Sequence, residues 1–410
     1  MMELSTTTSS EVRGRCLAAT AELAVRTAVN LQEGQELVVT APIEAAPLVQ
    51  HIARTAYRQG ARAVTCLYDD PVLIRERLIE SSADALDYAP AWLVRGVIES
   101  IHAGAARLQL LGPYPDLLTG IDADRIIRAH GALARASRSE AALMSASAIN
   151  WSALPVVTTA WARQVFPGDA EAEARDRLWK ALFDALRLGA SDPREAWRVH
   201  IRTLDARRAA LQRSAFAALR CIDGVTDLTI GLASDHRWIG GSVAAANGVE
   251  GLQSLPCEEV FTALDSRSAH GRVLFTRPLA LGGAMVQNLY AEFHDGALTT
   301  VTADSGLDVF EALIGEGEGR RLGEVGLVPA SSCVARTGVA FCNPLLDRNA
   351  VSHLAFGPST PAARPADAAD DSAANAIHID CPFGTTALRV DGITHSGETI
   401  AIVRDGEFVV

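Results

Sequence analysis

Between Leu37 and Leu67 the chain reads strand, helix, strand within about thirty residues, an order that few folds accept. Leu37-Val38-Val39 is a short apolar run, a helical pattern runs from about Pro47 to Arg58 and stops at Gly60, and Ala63-Val64-Thr65-Cys66-Leu67 is strand-like again. Parallel strands joined by one helix need a crossover, so this stretch predicts a parallel sheet covered by helices. Its neighbours agree. Leu17, Ala21, Ala24, Ala28 and Leu31 recur at spacings of four and three, which predicts one face of a helix. Helical spacing returns from Trp92 to Ile101, and Leu108-Leu110-Leu111 predicts a further strand running into the turn Pro113-Tyr114-Pro115-Asp116. The expectation is an α/β domain over residues 15–190.

From about Asp192 to Arg220 the pattern predicts one long helix, a bridge into a second domain over residues 191–410. Beyond it the period changes to two. Asp227 to Leu232 alternates, and Asp295-Gly296, Asp391-Gly392 and Asp405-Gly406 are predicted hairpin turns, glycine accepting the positive φ such turns require. This half is expected to be α+β, with a largely antiparallel sheet. Pro358 to Ala376, rich in Pro, Ala, Ser and Asp, predicts an exposed loop.

Several functions are disfavoured at this point. No GxGxxG follows any predicted strand and no GxxxxGK[ST] occurs, so the amide cradle for nucleotide phosphates is missing. The formal charge is −12 over 410 residues, without a basic run, which argues against nucleic acid and anionic membranes as partners. Seven cysteines with no CxxC pair argue against a disulfide framework and a thiolate zinc site, and together with an N-terminus lacking an apolar core they predict a cytoplasmic protein.

The most informative residues are His378-Ile379-Asp380-Cys381. On a strand, Ile377, Ile379 and Cys381 would face the core while His378 and Asp380 emerge together on the opposite face, an imidazole and a carboxylate spaced to meet on one divalent ion. Glu324 lies in an otherwise apolar run, Leu322 to Val328, where a bare carboxylate is costly without a cation. Glu258 and Glu259 start another apolar strand, and His353 is embedded in Val351 to Phe356. Together these form a ligand inventory for a pair of divalent ions sharing a bridging water.

Pro256-Cys257-Glu258-Glu259-Val260-Phe261-Thr262, Arg320-Arg321-Leu322-Gly323-Glu324-Val325, Asp347-Arg348-Asn349-Ala350-Val351-Ser352-His353 and the His378/Asp380 pair resemble, in order, motifs of the thermophilic-type metalloaminopeptidases, the aminopeptidase T and S group, peptidase family M29. The resemblance extends upstream through Asn30 to Gln35, Ala41 to Glu44, Trp161 to Pro167 and Thr226 to Leu232, and covers residues 17 to 408. It implies a metal-dependent aminopeptidase in which a metal-activated bridging water attacks the amide carbonyl of an N-terminal aminoacyl substrate. The metal ligands carried over are Glu259, Glu324, His353, His378 and Asp380, for two ions of Zn, Co or Mn, with Glu324 shared between them and Glu258 the alternative to Glu259.

Glu324, Glu258 and Thr360 are the candidate catalytic residues. Thr360 stands where the family carries a tyrosine, whose phenol can donate to the developing oxyanion; threonine is too short to reach the same point. His236 and Trp238, in Asp235-His236-Arg237-Trp238, are candidate substrate-binding residues after a strand end. Two alternatives stand beside it: a mononuclear Fe(II) ring-cleaving dioxygenase, which shares the fold and would use His353, His378 and Asp380, and a divergent amide or ester hydrolase of a biosynthetic pathway, which the missing tyrosine suggests. A homodimer acting on a small peptide or aminoacyl substrate is implied by the resemblance alone.

Overall fold

The computed structural model describes residues 9–115, 117–281, 284–363 and 378–410. The chain forms two compact units, Met1–Arg198 with Val243–Leu255, and Val199–Ser242 with Pro256–Val410.

In the first unit four parallel strands lie in the order Ala63–Asp69, Glu36–Pro42, Ala106–Leu111, Trp151–Pro155. The predicted crossover helix is Ala46–Arg58; it buries Leu48, Val49, Ile52, Thr55 and Ala56 along one face and ends before Gly60, whose φ of 91° only glycine adopts freely. Leu17, Ala21, Ala24, Ala28 and Leu31 are all buried, as their spacing predicts.

The expected boundary at residues 190/191 is drawn later by the structure, inside helix Pro193–Ser214, and the first unit takes back residues 243–255. Backbone bonding explains this: Leu252 N–H donates to the Ala28 carbonyl and Ala153 N–H to that of Gln253. The predicted helix to Arg220 also stops early. Ala215 takes φ 45°, and Phe216–Asp223 is a strand that pairs with Thr226–Gly231 and Arg389–Thr394, burying Phe216, Leu219 and Cys221. Burial of this apolar run outweighs its helical spacing.

Asp295-Gly296 and Asp405-Gly406 are hairpin turns with positive φ at both positions. Asp391-Gly392 is not a turn but lies inside strand Arg389–Thr394. There Gly392 is needed for space: an added Cβ would lie 2.3 Å from the Phe216 ring. Of the predicted loop Pro358 to Ala376, residues 364 to 376 lie outside the described residues.

The second unit holds an eight-stranded sheet and a five-stranded one, in the latter the order Ile379–Pro382, His353–Phe356, Leu322–Leu327, Val260–Ala263, Ile239–Gly240, antiparallel throughout. One face of the five-stranded sheet, Val260, Val325, Leu327, Leu354, Phe356, Ile379 and Cys381, is buried in the unit's core. Phe356 anchors it, its ring 5.2 Å from Phe310, 5.9 Å from Phe293 and 6.0 Å from Phe275, and burying one such ring contributes about 2–3 kcal/mol. Because strands alternate, the intervening residues go to the opposite face. Among the described residues no helix is long and apolar enough to cross a membrane.

Candidate metal centre

The face opposite the core carries the candidate ligands. Ala263 pairs with Glu324, Phe261 with Gly326, His353 with Gly326, and Ala355 with both Glu324 and Asp380, so Glu324, His353 and Asp380 come from three adjacent strands onto one face. A bulge at Gly323 lets Leu322 point into the core while Glu324, two residues on, points out of it. Gly323 has no room for a side chain, since a Cβ would lie 2.0 Å from the Gly357 carbonyl oxygen. The chain buries Glu324, His353 and Glu259 to within 3% exposure, a cost that needs charge compensation.

One donor atom each from Glu324, His353 and Asp380 falls within 4.8 Å of the others. Asp380 Oδ1 lies 3.0 Å from His378 Nε2 and 3.8 Å from His353 Nε2; Glu259 Oε2 is 3.6 Å from His353 Nε2, and Glu324 Oε1 is 3.9 Å from His378 Nε2. Ligands about 2.1 Å from one tetrahedral ion stand roughly 3.4 Å apart, so these separations suit divalent ions. Glu259 Oε2 is buried without a hydrogen-bond partner, an orphan that a cation would satisfy. The donors are all oxygen and nitrogen, a set for hard-to-borderline ions.

His378 Nδ1 donates to the Pro358 carbonyl at 2.8 Å, which turns Nε2 toward the carboxylates. Burial opposes its charging, but the hydrogen bond to Asp380 and the charges of Asp380 and Glu324 win, raising it to about 9. Burial raises the Glu259 carboxyl, with Arg348 and His353 working against it. Asp380 is held well below the carboxylate range: burial acts upward, and His353, His378 and Arg348 overcome it.

The structure does not bring every predicted residue here. Glu258 is buried, but its Oε2 lies 3.5 Å from His200 Nε2 and its N–H donates to Asn349 Oδ1 at 2.6 Å. Of the adjacent pair, it is therefore Glu259 that reaches the cluster. Trp238 is 1% exposed and packed in the core with Val260 and Leu264, so the reading of it as a substrate-binding residue is replaced by a packing role. His236 is half-buried, Nδ1 bonded to the Ala233 carbonyl, and neighbouring Arg237 N–H donates to Ala363 O in the stretch that follows Thr360. Thr360 meets the site through its backbone: its N–H donates to Glu324 Oε2 at 2.8 Å.

Sequence reasoning left Asn349 and Arg348 without a role. Asn349 is fully buried; besides accepting from Glu258 N–H it donates to the Leu345 carbonyl at 2.7 Å, tying the segment before His353 to the one that presents Glu259. Arg348 places Nε 3.6 Å from Glu259 Oε1 and Nη1 3.6 Å from Asp380 Oδ2. A charged residue inside a run that leads to a ligand was the available signal.

Asp347 yields a prediction on pH. It accepts from Asn343 N–H at 2.7 Å and faces Arg277 at 3.9 Å, yet burial pushes its carboxyl up to about 6 from 3.8. The fold therefore holds this proton more tightly than the unfolded chain does. The resulting stability is fully present below pH about 4, is lost as the pH rises through 6, and amounts to about 3 kcal/mol. Asp347→Asn has no such proton to lose, so the wild-type unfolding free energy should fall relative to the variant's between pH 4 and 7. A constant difference across that range contradicts the assignment.

The profile of the family described as thermophilic metalloprotease (M29) matches residues 15–408. Aminopeptidase T from Thermus aquaticus is 41% identical over 401 residues, covering 95% of this chain and 97% of that protein. Aminopeptidase 2 from Geobacillus stearothermophilus is 35% identical over 397 residues, covering 95% and 96%. The solved structure of wild-type AmpT from Thermus thermophilus superposes with a TM-score of 0.90 at 40% identity, covering 97% of this chain and 99% of that one. These relatives give no support to the ring-cleaving or biosynthetic-hydrolase alternatives.

Proposed function

Because the chain belongs to the thermophilic metalloprotease family M29, we propose that Glu259, Glu324, His353, His378 and Asp380 hold two divalent ions, zinc, cobalt or manganese, with Glu324 shared between them. The protein is a metal-dependent aminopeptidase. The observation that carries the site assignment is the convergence of Glu324, His353 and Asp380 donors within 4.8 Å on a buried sheet face. Bound divalent ions lower the pKa of a water to near neutrality and polarise a scissile carbonyl.

The chain's own groups do the rest. Glu324, its Oε2 held by Thr360 N–H, would orient the attacking water beside the ions. His378, fixed by the Pro358 carbonyl, presents Nε2 as an unprotonated ligand once its proton is displaced. Burial of the carboxylates excludes bulk water and strengthens their hold on the α-amine of a small peptide or aminoacyl substrate. His236 borders the substrate side. Thr360 supplies a backbone donor and no phenol, so oxyanion stabilisation from that position is weak.

A cytoplasmic setting is supported by seven cysteines that are all free. The same reading takes the active form to be a homodimer. The test is an assay of aminoacyl-p-nitroanilides after chelation, with zinc, cobalt or manganese restored, on protein sedimenting at about twice 43.4 kDa. Turnover should vanish with the chelator and return with the metal, at two ions per chain. Bound metal without turnover of any aminoacyl substrate sinks the mechanism.

A further inference from the structure

We infer that Arg348 is a fixed cation of the metal centre that holds the outer oxygens of Glu259 and Asp380 and loosens the grip on the second divalent ion. The inference rests on the two-ion reading above and deepens it. Each of the two carboxylates is divided. Glu259 turns Oε2 toward His353 Nε2 at 3.6 Å and Oε1 toward Arg348 Nε at 3.6 Å; Asp380 turns Oδ1 toward the two imidazoles and Oδ2 toward Arg348 Nη1, again at 3.6 Å. The guanidinium thus meets one oxygen of each carboxylate while the other oxygen of each faces the imidazole nitrogens.

These distances exceed a hydrogen bond, and Arg348 Nε is buried with no hydrogen-bond partner, so the link is charge rather than directed bonding. Its backbone is tied by hydrogen bonds on both sides. Arg348 N–H closes the short helix Pro344–Asp347 by donating to the Pro344 carbonyl at 3.1 Å, and the next residue, Asn349, accepts from Glu258 N–H.

A guanidinium keeps its charge at every pH the fold survives. Glu259, Glu324 and Asp380 bring three negative charges and Arg348 removes one, so a single divalent ion neutralises the group. A second ion enters a site whose anionic attraction is already spent, with a permanent cation beside two of its ligands. Arg348 also compensates the carboxylates when no metal is bound, which keeps three buried acids close together without collapse of the sheet. It is a positioning residue, acting on the ions through Glu259 and Asp380.

The experiment is zinc titration by calorimetry into chelated protein, at pH 7 and pH 8. Arg348→Gln should tighten the weaker binding step by about tenfold or more, by the same factor at both pH values, because the charge removed does not titrate. Arg348→Lys keeps the charge and should leave that step within about threefold of wild type. An unchanged or weakened second step in Arg348→Gln overturns the inference. Absence of any zinc binding by the wild type overturns the two-ion reading beneath it instead. Should Arg348→Gln not survive without metal, it is purified with zinc and challenged with chelator. Its more labile ion should then leave about tenfold more slowly than that of the wild type, and equal or faster release again overturns the inference.

Discussion

Glu324→Gln is expected to lose about a thousandfold or more in kcat/KM under any metal, while melting within a few degrees of the wild type. The substitution keeps the shape of a residue that is 2% exposed and keeps an oxygen to accept Thr360 N–H, so packing on strand Leu322–Leu327 survives. What it removes is the negative charge on the central strand of the candidate site, and with it the carboxylate proposed to touch both ions and the water. His378→Ala should behave alike for a different reason: it deletes the imidazole that faces Asp380 at 3.0 Å and Glu324 at 3.9 Å. Neither side chain belongs to the apolar core that holds the second unit together. Loss of soluble protein in both variants would mean that the cluster is structural, and retention of activity in either would remove that residue from the mechanism.

Gly326→Ala should be nearly as damaging although glycine carries no chemistry. Gly326 pairs with His353, and an added Cβ would lie 2.0 Å from His353 Cε1 and 2.5 Å from Nε2, contacts that real side chains do not make. The imidazole must swing away from Glu259 and Asp380, and catalytic groups displaced by about 1 Å lose roughly a hundredfold. Measured side by side, metal affinity and kcat should both fall by about that factor, with the fold intact by circular dichroism. Wild-type zinc affinity in Gly326→Ala would show that His353 is not a ligand.

Much of this was legible in the sequence because it follows from alternation. His378 and Asp380 flank Ile379, and since Ile379 and Cys381 had to enter the core, the other two had to emerge together; their atoms meet at 3.0 Å. Glu324 was visible for the converse reason, a carboxylate in a strand too apolar to spare it a partner. The parallel crossover unit was equally plain, helix spacing between two strand-like runs.

The misreadings share one cause, since each depended on what lies opposite in space. Asp391-Gly392 has the composition of a turn, but Phe216 covers that glycine from a strand far away in sequence. Trp238 has the look of a pocket aromatic and is instead core, because folding gathers it into a buried cluster with residues as distant in sequence as Phe310 and Phe356. From the sequence Thr360 offers a hydroxyl in place of a phenol, whereas its contribution is an N–H to Glu324, which every residue but proline can supply. Arg348 lies in the run that leads to His353, and only the folded register puts its charge beside Glu259 and Asp380.

Anomalous diffraction from zinc- or manganese-loaded crystals tests the central claim most directly. The account predicts two peaks on the open face of the five-stranded sheet, with Glu324, His353 and Asp380 among their ligands and Glu259 and His378 completing the set. Among the described residues one other group, His270, His294 and Asp295, brings three donors together, and it lies exposed on the surface. Metal found there alone, with Glu324, His353 and Asp380 left bare, would contradict the account.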